Sequence, residues 1–176
     1  NSGVKRLSKK ALLDKKSLLD KKSEIKQLKG DLQGAMDDFE QSCAIVEDNF
    51  DNLKKATLLY KMGRQKDGEQ ILKKLLEDQE FVSGRHAKYA YALLGQKDKA
   101  RSLCETEIAE DSDDYFNIAC TYGVLGEYSK GLPYIRKSLE KQPTSIVDIL
   151  VDFDMEEYKK LPEFWDLINE FRPKKR

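Results

Sequence analysis

From Leu32 onward, apolar residues recur in alternating steps of four and three: Leu32, Met36, Phe39, Cys43, Val46, Phe50 and Leu53. That is the period of a helix with one buried stripe, and it predicts an amphipathic helix, either running on into the next segment or packing against its N-terminal side. Three segments beyond it align without gaps: LLYKMGRQKDGEQILKKLL from Leu58, AYALLGQKDKARSLCETEI from Ala90 and TYGVLGEYSKGLPYIRKSL from Thr121. Each carries a glycine between two apolar stripes, and these glycines, Gly63, Gly95 and Gly126, stand 32 and 31 residues apart. Glycine takes the left-handed conformation that closes a helix, so each segment reads as helix, tight turn, helix. One such pair cannot cover its own apolar face. Stacking on the next pair does, which accounts for the repetition.

The third segment carries the fullest motif: Tyr115, the large-small pair Ile118-Ala119, Tyr122, Gly126-Glu127-Tyr128 at the turn, Gly131 at the small position, and Pro143 at the close. The second keeps Ala87, Tyr91, Gly95 and Ala100, with Gly84 in place of the leading aromatic. The first keeps Ala56, Leu59, Gly63 and Gly68. Together, residues 49–143 resemble the tetratricopeptide (TPR) repeat family in about three units. Pro133, just past the first turn of its helix, departs from the pattern. The resemblance implies an all-α fold, an α-solenoid whose first helices line a concave groove for a peptide or helix of a partner protein. It places Lys54, Thr57, Tyr60, Arg85, His86, Tyr89, Phe116, Asn117 and Cys120 in that groove. Tyr60, Tyr89 and Phe116 read equally well as packing between helices. At the positions of the family's carboxylate clamp stand Leu53, Thr57, His86, Asp113 and Asn117. Only Asn117 matches, so capture of a chaperone's C-terminal carboxylate is disfavoured.

Both flanks continue the helical pattern. Leu161, Phe164, Trp165, Ile168 and Phe171 recur at helical spacing, with Pro162 suited to a first turn, and predict a C-terminal cap that buries Trp165. Upstream, KRLSKKALLDKKSLLDKKSEIKQLK repeats the hexad LLDKKS. Val4, Leu7, Ala11, Leu18 and Ile25 share one helical face there, interrupted by Asp14, and suggest a coiled-coil or docking segment. Lys29-Gly30-Asp31 reads as a helix stop followed by an N-cap, one long helix being the alternative. The organisation expected is a basic arm over 1–30, a repeat domain with cap over 31–172, and a basic tail over 173–176.

Charge changes the picture only at the arm. The chain of 176 residues is 36% charged with zero net charge, yet residues 1–30 carry a net of +7 and the remainder −7. Lys9, Lys10, Lys15, Lys16, Lys21 and Lys22 could therefore contact nucleic acid or an anionic membrane nonspecifically, without any base-reading motif. The arm could also pair with the acidic body or with a second copy.

Catalytic signals are thin. His86 is the single histidine, and Cys43, Cys104 and Cys120 lack metal-ligand spacing. No glycine-rich phosphate loop occurs. The acidic run Glu110-Asp111-Ser112-Asp113-Asp114 lacks the alternation of a calcium loop. It reads as a turn in which Asp113 or Asp114 caps the next helix. No enzyme, cofactor, metal or small-molecule substrate is expected. The expected function is a non-catalytic scaffold or adaptor. A tether through the arm and a regulatory module of a longer enzyme are the alternatives. Odd, unpaired cysteines suggest a reducing, cytoplasmic setting. The start at Asn1 suggests that the natural N-terminus is absent.

Overall fold

The computed structural model describes residues 8–110, 112–142 and 146–172, and among them the regular structure is all helical. Val4, Leu7, Asp111, Pro143 and the tail 173–176 lie outside the described residues. The chain divides into two compact units, residues 1–77 and 78–176.

The first unit holds two packed helix pairs. α1 (Lys9–Leu28) packs on α2 (Leu32–Cys43), and α3 (Asn49–Lys61) on α4 (Gln65–Leu75), with α2 against α3. Local chemistry sets the boundaries. Ser8 accepts from the Ala11 amide to start α1, and Asp31 accepts from the Gly34 amide to start α2. The stripe does not run unbroken into the first repeat: it is cut between Cys43 and Asn49, and its first part, α2, packs on α3 as expected. Asp48 and Asp51 form a reciprocal capping box that starts a new helix there, leaving Val46 and Phe50 exposed. Ala35, Met36, Leu58 and Leu59 form an apolar cluster in this unit, joined by Leu32, Met62 and Ile71.

The second unit begins with the single turn α5 (Gln79–Val82). Two further pairs follow: α6 (Ala87–Leu93) with α7 (Lys97–Ala109), and α8 (Tyr115–Leu125) with α9 (Tyr128–Lys141). α8 also packs on α6 and α7. After α10 (Ile146–Val151), two 3-10 turns, Phe153–Met155 and Tyr158–Lys160, lead into α11 (Pro162–Phe171), with Pro162 at its first position.

One turn closes every pair. Gly30, Gly63, Gly95 and Gly126 have φ of +79°, +75°, +72° and +74°. In each, the glycine amide donates to the carbonyl three residues back at 3.0 Å, and the next amide donates five residues back at 2.9 Å. The expected three turns are present. Gly30, expected only as a helix stop, repeats the same geometry 33 residues before Gly63. Five residues after each glycine stands a small buried residue: Ala35, Gly68, Ala100 and Gly131. Nine after it stand Phe39, Leu72, Cys104 and Ile135, all buried. α1 and α2 are therefore built to the pattern of the other three pairs.

Candidate functional site

Within the described residues, the arm's expected contact face is not the one that packs on α2. Leu18 is 56% and Ile25 51% exposed, and Leu28 is exposed as well. The face of α1 that meets α2 is instead largely polar and centres on Leu19, Ser23, Lys16 and Lys26. The Ser23 hydroxyl donates to the Ala35 carbonyl at 2.8 Å, and the Lys26 ammonium sits 2.6 Å from Asp38. Lys16 reaches Asp51 of α3 at 3.0 Å and the Ser42 hydroxyl at 3.2 Å. Buried donors on this face find fixed acceptors on α2 and α3, so polar side chains can turn inward there. Of the six arm lysines, Lys16 is held internally, while Lys9, Lys10, Lys15, Lys21 and Lys22 stay exposed.

The groove residues of the first unit are engaged locally. Lys54 lies over the Phe50 ring at 4.7 Å, and the Thr57 hydroxyl donates to the Leu53 carbonyl. Tyr60 lies against Gly68, where an added Cβ would stand 2.6 Å from its ring. Tyr60 is thus packing between α3 and α4.

In the second unit, Arg85 and His86 precede α6 instead of lying on it. The Ser83-Gly84 turn ends α5, and helical structure resumes only at Ala87. Sequence reasoning missed the residue that organises this region, Lys88. Its side chain is 0% exposed, with the ammonium 2.8 Å from Asp114 and 2.9 Å from both Glu107 oxygens. It also donates to the Arg85 carbonyl. The other Asp114 oxygen accepts from the Asn117 amide at 2.6 Å and lies 3.8 Å from the Arg85 guanidinium. Asp114 begins α8, as expected, but its carboxylate serves this network and makes no side-chain cap bond. The signal for Lys88 was positional: seven residues before the turn glycine, the other pairs carry Ser23, Ala56 and Ala119.

Arg85 and Asn117 thus both meet the Asp114 carboxylate at the start of α8, to which Phe116 also belongs. Phe116 is half-buried. Tyr89 is buried, and its hydroxyl donates to Asp154 at 2.8 Å. The chain's own C-terminal segment therefore covers this stretch. Cys120, carried over into the same groove, is buried too.

Compared with known protein families, with characterised proteins and with solved structures, the chain shows no match.

The cap is built differently from expectation. Trp165 is 37% exposed, though its indole N–H donates to the Lys159 carbonyl at 2.8 Å. The anchors are Phe164, Ile168 and Tyr158, all fully buried. The Tyr158 hydroxyl donates to the Ala119 carbonyl at 2.7 Å, and its ring lies against Gly123 and Gly131, which have no side chains to exclude it. Burial drives the Tyr158 phenol pKa far above its ordinary value. Burial likewise pushes the thiols up, Cys43 to about 11 and Cys104 to about 12, which leaves them protonated and weakly nucleophilic near neutrality. Among the described residues, no helix is long and apolar enough to cross a membrane.

Proposed function

We propose that the chain is a non-catalytic protein-interaction module, a TPR-like array of helix pairs that holds a peptide or helix of a partner protein. The observation that carries this reading is the identical turn closing all four pairs, with the same buried positions on either side of each glycine. Such repetition builds extended surface from short units and needs no reaction centre. In the second unit, Arg85, whose side chain is mostly exposed, reaches Asp114 at the start of α8, where Asn117 binds the same carboxylate oxygen. Arginine and aromatic side chains are common anchors for a bound segment, and Arg85 and the half-buried Phe116 are the ones this region offers. The three free cysteines fit a reducing compartment, which makes the cytoplasm the proposed setting.

Pull-down with Arg85→Glu/Phe116→Ala chain tests this. Both side chains are at least partly exposed, so the variant should stay folded with a modest drop in melting temperature while partners captured by the unaltered chain are lost. Tyr89→Ala is unsuitable, since it would also break the contact with Asp154. Full partner recovery by the double variant would remove the groove from the reading. The competing tether rests on the exposed arm lysines. It predicts nucleic-acid or anionic-lipid binding that weakens steeply with salt and ignores the double variant.

A further inference from the structure

We infer that the exposed face of α1 is a second docking surface, and that it takes an acidic amphipathic helix from a partner protein. The argument begins inside the molecule. Counting back from the turn glycine, positions twelve, eight and five of α3 are Asp51, Lys55 and Leu58. All three engage the preceding helix pair: Asp51 binds Lys16, Lys55 binds Glu40 of α2 at 3.1 Å, and Leu58 is buried in one cluster with Ala35 and Met36 of α2. In α8 the same positions are Asp114, Ile118 and Thr121. Asp114 binds Lys88 of the preceding pair, and the other two are fully buried. These three positions are therefore the face by which one pair takes the pair before it.

In α1 they are Leu18, Lys22 and Ile25, and all three are exposed. The face is present, more apolar than its counterpart in α3, and uncovered by any of the described residues. Its charge selects the occupant. The residues one helical turn from Leu18 or Ile25 are Asp14, Lys15, Lys21, Lys22, Leu28 and Lys29, all exposed. An apolar ridge edged by four lysines and one aspartate suits a helix whose own apolar ridge is edged by carboxylates, as Glu40 already answers Lys55 on α2. A second copy meeting the same face would oppose lysine to lysine. Stacking against the last pair of a second copy is blocked as well, because Tyr158 fills the Gly131 position of α9.

The test uses the full chain and a fluorescein-labelled synthetic helix with leucines spaced three and four apart and glutamates on its other faces. A second peptide carries lysine at every glutamate. The acidic peptide should bind saturably and the basic one should not. Leu18→Ser/Ile25→Ser should weaken binding about tenfold or more with unchanged melting, since both side chains are exposed. Lys22→Glu/Lys29→Glu should transfer the preference to the basic peptide. Arg85→Glu/Phe116→Ala should bind the acidic peptide normally, so failure here and failure of the groove can be told apart. Three results would overturn the proposal. One is equal binding of both peptides, and another is binding that survives Leu18→Ser/Ile25→Ser. The third is a dimer in sedimentation, or adsorption to phosphatidylserine vesicles, that this variant abolishes while the acidic peptide never binds.

Discussion

Lys88 stands where the other helix pairs carry a small residue, and it brings a charge into a space they fill with a methyl group or a hydroxyl. Burying an ammonium is costly unless its attraction and hydrogen bonds replace lost hydration. Glu107, Asp114 and the Arg85 carbonyl supply that replacement from three separate segments. Removing one member should cost more than the group of interactions contributes as a whole, because the others remain charged and buried. Lys88→Ala should lower unfolding free energy by about 3–5 kcal/mol, read from urea midpoints. Lys88→Met with Glu107→Gln and Asp114→Asn should recover part of that loss. A Lys88→Ala chain as stable as the parent would mean that water reaches the two carboxylates. Period and turn chemistry could not reveal this residue, because a lysine on an amphipathic helix ordinarily reads as solvated. Only comparison of equivalent positions exposes it.

At the scale of the element, glycine does two separate jobs. At Gly30, Gly63, Gly95 and Gly126 an added Cβ would meet nothing within 4 Å, so alanine there costs only the left-handed backbone. Gly30→Ala and Gly63→Ala should each destabilise by about 1–2 kcal/mol, and by similar amounts if the first pair is built like the second. Gly68→Ala should cost more, since its Cβ would press on the Tyr60 ring. Urea unfolding of the three variants measures the contrast. An indifferent Gly30→Ala would show that α1 contributes little to the fold. The helix pairs were legible because their glycines sit between apolar stripes at nearly constant spacing. The first pair is harder to read because α1 meets α2 through serine and lysine, so the leucine stripe of α1 does not mark the face that packs on α2. The break before α3 was missed for a related reason. Apolar spacing runs straight through residues 43–49, while the Asp48–Asp51 capping box, which decides the matter, is local and polar.

Across the whole chain, the charge asymmetry of the sequence is partly neutralised. Lys16 and Lys26 are answered by Asp51 and Asp38, and four of the lysines that stay exposed, Lys15, Lys21, Lys22 and Lys29, lie one helical turn from Leu18 or Ile25. The last helix pair is finished by the chain's own tail. That a cap exists was readable from aromatic spacing. Which aromatic anchors it was not, because Phe164 and Trp165 are adjacent and a one-residue rotation of the helix exchanges them. Phe164→Ala should cost about 3–5 kcal/mol and Trp165→Ala distinctly less, as its ring is partly in water. Thermal melting of the two variants checks the order. A larger loss from Trp165→Ala would put the indole, through its bond to Lys159, at the centre of the cap.

The fit of Tyr158 against Gly123 and Gly131 also bears on how such a chain can lengthen by gene duplication. Three residues before the turn glycine, the other pairs have Gln27, Tyr60 and Ala92, and only the last has the bare backbone that admits the phenol ring. A duplicated pair inserted after α9 would separate Tyr158 from its receptor and would have to bring both glycines with it. One inserted ahead of α1 would meet Leu18 and Ile25 already in place. A helix pair added on the N-terminal side therefore leaves the seat of Tyr158 intact, whereas one added after α9 must rebuild it.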